Sequence, residues 1–112
     1  AGTRIGVDVE KVSPRLLRVA DAFVRERDAL IGSRPPEERL AMFWALKEAC
    51  AKAMGGGIGI VLSEVCSRET AEGWHEIRTG DGREFRAWCV RRDEYVIALC
   101  VGTEPAGATD NG

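Results

Sequence analysis

Asp8 and Glu10 stand two apart in "IGVDVE" (residues 5–10), and Glu48 and Lys52 stand four apart in "FWALKEACAKAMG" (residues 43–55). Two apart on a strand means one face, so the two carboxylates repel at close range. Four apart on a helix again means one face, a turn apart, whereas Lys47 beside Glu48 points about 100° round the helix. The run "GGGIG" (55–59) follows at once, and glycines let backbone N–H groups approach a phosphate closely. Three carboxylates, a lysine and a glycine loop together would compose a magnesium and phosphate site. Mg²⁺ takes oxygen ligands, a few from protein and the rest from water and substrate phosphate. Bound there, it would offset the Asp8–Glu10 repulsion. Each part also has a plainer reading. Glu48–Lys52 alone is a surface helix pair worth a few tenths of a kcal/mol. The glycine run alone is a flexible helix exit, and it lacks the GK[ST] ending of a P-loop. Against the surface reading, Phe43, Trp44, Leu46, Ala49, Cys50, Ala51 and Ala53 crowd these charges, and enclosed charges need partners.

Several elements must position these groups. "IGVDVE" alternates as a strand and offers Ile5, Val7 and Val9 as its core face. Ser13 and Pro14 can open a helix through "VSPRLLRVADAF", and a second helical piece is expected in "VRERDALI". Pro36, Glu37 and Glu38 suit the start of a long helix that runs to Met54 and stops at Gly55. The period then changes. "IVLSEVCS" (60–67), "WHEIRT", "EFRAWCVR" and "EYVIALCV" read as strands, with "GDG" and "RDE" as tight turns. The expected class is α+β: helices, one of them long, packed on an antiparallel sheet in a single domain over residues 1–102. The small polar residues 103–112 are expected to be a disordered tail.

The chain has 112 residues, 45% apolar and 30% charged, with a formal charge of −2. Nothing there calls for nucleic acid, and no run approaches the ~18 apolar residues of a membrane span. The chain starts without Met just before a strand, as a processed chain or a piece of a longer one would. Cys50, Cys66, Cys89 and Cys100 form no CxxC pair, and His75 is the one histidine, which argues against zinc. Their apolar settings read as buried reduced thiols of a cytoplasmic protein. His75 reads as structural or exposed.

The two motifs resemble the signatures of the 4′-phosphopantetheinyl transferase superfamily, a strand (I/V)G(I/V)D(I/V)E followed by a helix (F/W)xxKEAxxKxxG. The resemblance covers roughly residues 4 to 101, since "EYVIALCVG" is similar to the family's last strand. It implies Mg²⁺-dependent transfer of the phosphopantetheine arm of coenzyme A to a serine of an acyl or peptidyl carrier protein, with 3′,5′-ADP as the other product. It implies that Asp8, Glu10 and Glu48 hold the metal and that Lys52 contacts the coenzyme A phosphates. Glu48 would also be the base for the serine hydroxyl, directly or through water. The backbone of Gly55, Gly56, Gly57 and Gly59 would approach the nucleotide. On the first helix, Arg15 and Arg18, with Arg25 continuing the stripe, either meet the acidic carrier or form an ordinary exposed face.

The length and "GGGIG" resemble the short holo-acyl-carrier-protein synthase branch, whose members are homotrimers with sites between neighbours. "FW" and "DVE" resemble the surfactin-type branch, in which two similar halves share one chain. A homotrimer is expected, and a domain cut from a larger synthase or a two-half enzyme is the rival. A non-catalytic module binding coenzyme A or a carrier protein is the competing function. The sequence leaves the carrier's pathway (fatty acid, polyketide or peptide) open.

Overall fold

A computed structural model describes residues 3–55 and 64–103. Strand β1 (Thr3–Lys11) leads to a short helix α1 (Leu16–Val19), which tightens into a 3₁₀ turn over Ala20–Ala22. The long helix α2 (Pro36–Ala53) follows, then β2 (Cys66–Glu69), β3 (His75–Arg78), β4 (Glu84–Arg92) and β5 (Tyr95–Thr103). All five strands form one antiparallel sheet in the order β1-β5-β4-β3-β2. This is the expected α+β arrangement, with β1 closing the sheet against β5. Among the described residues no helix is long and apolar enough to cross a membrane.

Helix α2 lies across the inner face of the sheet, chiefly on β1 and β5. The contact is built from small residues. Gly6 pairs with Cys100 and Asp8 with Ala98 across the β1–β5 ladder, and Ala49 and Ala53 come down on Gly6, all of these residues being buried. A Cβ on Gly6 would fall 1.9 Å from the Ala49 carbonyl oxygen and 2.5 Å from the Ala53 nitrogen. Only glycine lets the helix approach this strand so closely.

That seat overturns one expectation. Ile5, Val7 and Val9 are 60%, 48% and 53% exposed, and the Gly6–Asp8 face is the buried one. Alternation was read correctly, but the face was inverted. The polar-looking face carries the glycine that admits α2, so the apolar face is turned outward. There it joins Trp88, Val90 and Leu99 in an exposed apolar sheet surface.

The helical piece expected in "VRERDALI" does not form. Its backbone groups are taken by side chains instead: Asp28 Oδ2 accepts the Arg25 N–H at 2.8 Å, and Lys47 Nζ donates to the Phe23 carbonyl. Local side-chain bonds of this kind compete with a helix ladder. The first helix keeps only Leu16–Val19, although Ser13 Oγ does accept the Arg15 N–H at 3.2 Å. The strand expected at 60–67 starts at Cys66, and its residues 60–63 lie outside the described residues. The "GDG" and "RDE" turns are present, with Gly82 at φ 89° and Asp93 at φ 54°. β5 includes Thr103, the first residue of the segment expected to be a tail; 104–112 lie outside the described residues. The cysteines are free; Cys50 and Cys100 are buried, while Cys66 and Cys89 are only partly so.

Candidate active site

Asp8 reaches the β1–α2 seam because it follows Gly6 on the same strand face. Its side chain is 8% exposed, and Lys52, from the last turn of α2, grips Oδ1 at 2.8 Å. The Lys52 ammonium also donates to the Val7 carbonyl oxygen at 3.2 Å, yet half of its side chain remains open to solvent. Asp8 Oδ2 is buried and no N–H, ammonium or hydroxyl group donates to it. A buried carboxylate oxygen without such a donor is costly, and most buried polar atoms have a partner.

Glu10 and Glu48, both half-buried, stand near enough to feel that charge. Burial, then a hydrogen bond that the protonated Glu10 carboxyl donates to Asp8, then repulsion from the Asp8 charge, push the Glu10 carboxyl up to about 7, while a bond from Trp44 works in the other direction. Burial and repulsion from Asp8 raise Glu48 as well, against the pull of Lys52. The Lys52 ammonium is held above its usual range, first by its bond to Asp8. The three predicted metal carboxylates therefore share one electrostatic neighbourhood. Even so, among the described residues no group of three or more His, Cys, Asp or Glu side chains is arranged to hold a metal ion. The donors fit a hard cation in kind, being carboxylates with one orphaned oxygen. In the present arrangement a lysine ammonium supplies the positive charge.

Gly55 ends α2 at φ 109°, a conformation that favours glycine, while Gly56, Gly57 and Gly59 lie outside the described residues. Arg15 and Arg18 are exposed around α1. Arg25 is exposed too but lies beyond any helix, and its guanidinium is tied to the Asp21 and Val24 carbonyls, so the three make no helical stripe.

Sequence reasoning missed a second ion pair. Lys47 and Asp28 meet at 2.7 Å with both side chains at 0% exposure. Asp28 Oδ1 also accepts the Ser67 N–H at 2.8 Å, so the pair pins α2 to the 23–28 segment and to β2. Burial lowers the Lys47 ammonium's pKa, and the Asp28 bond opposes that. One signal was available: Lys47 lies among Phe43, Trp44, Cys50 and Ala51, one turn away on either side. Trp44 packs edge-on against Phe23 at 4.9 Å between ring centres, beside this pair.

Comparison with known proteins agrees with the motif reading. The family model described as the 4′-phosphopantetheinyl transferase superfamily matches residues 4–100. A 4′-phosphopantetheinyl transferase of Bacillus pumilus is 32% identical over 93% of this chain and 47% of its own length. A holo-[acyl-carrier-protein] synthase of Chloroflexus aurantiacus is 39% identical over 69% of this chain and 64% of its own. The chain thus spans about half to two thirds of these relatives. The holo-(acyl-carrier-protein) synthase of Bacillus anthracis, solved with coenzyme A (3′,5′-ADP), superposes with a TM-score of 0.65 at 26% identity, over 88% of this chain and 93% of that one. That of Helicobacter pylori, solved with coenzyme A, gives 0.68 at 19% identity over 86% and 96%, which speaks to the fold alone. With motif, sheet topology and sequence match in agreement, this chain belongs to the 4′-phosphopantetheinyl transferase superfamily.

Proposed function

We propose that this chain transfers the 4′-phosphopantetheine arm of coenzyme A to a serine of a carrier protein, with Mg²⁺ held by Asp8, Glu10 and Glu48. One observation carries the reading: the buried Asp8 carboxylate keeps an orphaned oxygen beside two more carboxylates and a half-exposed lysine. When bound, the cation neutralises charge on the diphosphate and orients it for in-line attack. Glu48, whose raised pKa brings it nearer to neutrality, takes the proton of the serine hydroxyl. The serine oxygen bonds to the phosphorus that carries the pantetheine, and the anhydride bond to 3′,5′-ADP breaks. Lys52 stabilises the charge that departs with that product. Arg18, exposed on α1, and Arg15, exposed at its start, attract the acidic carrier.

The exposed apolar face of β1, β4 and β5 supports assembly, since such patches mark interaction surfaces. A second copy of the chain is the proposed cover, in a homotrimer. A matching half in a longer polypeptide is the second reading, favoured by the 47% share of the Bacillus pumilus relative. The solution mass of the chain separates the two.

The direct test is the mass of a carrier protein after incubation with coenzyme A and Mg²⁺. The expected result is a gain of one phosphopantetheine, which Glu48→Gln slows by about 10²–10⁴-fold, the usual worth of a general base. No gain with the assembled protein would rule out the activity. A gain that persists in Glu48→Gln would remove Glu48 from both of its roles.

A further inference from the structure

Lys52 does more at this site than wait for a phosphate. Its ammonium sits on Asp8 Oδ1 at 2.8 Å and on the Val7 carbonyl at 3.2 Å, so a positive charge already occupies the mouth of the carboxylate cluster. The two partners are unequally enclosed: Asp8 is 8% exposed and Lys52 50%. The aspartate is therefore fixed by the β1–α2 seam, while the lysine, on a long flexible stem at the end of its helix, can leave. The bond also leaves Asp8 Oδ2 without any N–H, ammonium or hydroxyl donor. The pair is open to water on its lysine side only, and a doubly charged ion attracts the same carboxylate more strongly than a single ammonium does.

Resting on the proposed reading of a cation site, we infer that Lys52 is a displaceable internal counter-ion. It holds Asp8 in the cation-free protein, and it gives up Asp8 when a divalent cation binds. Its ammonium then swings outward, free to meet a phosphate. The same residue thus keeps three crowded carboxylates tolerable before loading and lowers the affinity of the bare protein for metal. It becomes a phosphate ligand only once the cation is in place.

The chain has three lysines, which makes the inference readable. Lys47 is locked on Asp28, and Lys11 lies at the far end of β1 in an exposed contact with Glu94 at 3.7 Å. The experiment is ¹⁵N NMR of the lysine ammonium groups during titration with Mg²⁺ alone, with no coenzyme A. It is paired with Mn²⁺ affinity read from the free-ion signal in electron paramagnetic resonance. The Lys52 resonance should shift and exchange faster with water as Mg²⁺ binds, while that of Lys47 stays still. Lys52→Met should bind Mn²⁺ about five- to tenfold more tightly, and Lys52→Arg should not. Should Lys52→Met fail to fold, the wild-type resonances and Lys52→Arg still decide. Mg²⁺ binding with an unchanged Lys52 resonance overturns the inference and leaves the cation site standing. Binding by neither wild type nor Lys52→Met overturns both.

Discussion

Two lysines leave helix α2 five residues apart, and each meets an aspartate, with opposite results. Lys47–Asp28 is enclosed on both sides at 0% exposure. Its remaining capacity is used: Asp28 takes the Arg25 and Ser67 N–H groups, and Lys47 takes the Phe23 carbonyl. Lys52–Asp8 is open on the lysine side and leaves Asp8 Oδ2 unpartnered. The distances are nearly equal, 2.7 and 2.8 Å, so bond length does not separate the two roles. What separates them is completeness. A finished, sealed pair holds helix, loop and strand together, whereas the other pair, open on its lysine side, leaves a carboxylate oxygen that the proposed cation would use.

The comparison breaks first on stability. Removing one partner of a buried pair strands a charge, so Lys47→Met should cost about 3–5 kcal/mol. Removing Lys52, in Lys52→Met, leaves the buried Asp8 carboxylate unpaired at a site open to water on the lysine side, and should cost less, about 1–3 kcal/mol. Urea unfolding of both variants measures this, and equal losses would end the distinction. Gly6→Ala sharpens it further. The new Cβ meets backbone atoms of Ala49 and Ala53, which cannot swing aside, so α2 must lift from β1. Overpacking of this kind costs about 1–3 kcal/mol. Lys52 and Asp8 stand on the two elements forced apart, while Asp28 lies elsewhere. In Gly6→Ala the Lys52 ammonium resonance should change and that of Lys47 should persist; loss of both together would mean that one rigid unit carries the two pairs.

The same pairs explain how far the sequence could be read. Asp8, Glu10, Glu48 and Lys52 were legible because strand and helix periods put them on shared faces, and the structure brings these four into one electrostatic neighbourhood. Helix α2 was legible from Pro36 to its end because its stop and start signals are local. Tertiary events were not legible. Alternation in "IGVDVE" fixes two faces but not which one receives a helix. That choice rests on Gly6 meeting Ala49 and Ala53, more than forty residues on. Likewise "VRERDALI" has helical composition, and it is undone by Lys47, a residue distant in sequence that claims the Phe23 carbonyl and Asp28. Asp28 itself carries no local mark of its role.

The smallest effect is the pH dependence that the unfinished site imposes. Burial and the neighbouring Asp8 raise the Glu10 carboxyl from 4.5 to about 7. Between those values the folded protein keeps a proton that the unfolded chain has released, so this group lowers stability as pH rises through that window. Glu10 is only half-buried, and solvent screening holds the effect to about 1 kcal/mol or less. His75 acts in the opposite sense. It is 1% exposed with Nδ1 unpartnered, and burial lowers its pKa below 6.5, so the unfolded chain takes up a proton the folded one refuses. Stability from that group is lost as pH falls below about 6.5. Urea unfolding from pH 5 to pH 8 should therefore separate the two arms in Glu10→Gln. The decline toward high pH should shrink, leaving only the smaller part that the raised Glu48 carboxyl contributes, and the decline toward low pH should remain. If Glu10→Gln leaves the upper arm undiminished, Glu10 and Asp8 do not press on each other in the folded chain, and the Lys52–Asp8 pair is less unfinished than its orphaned oxygen implies.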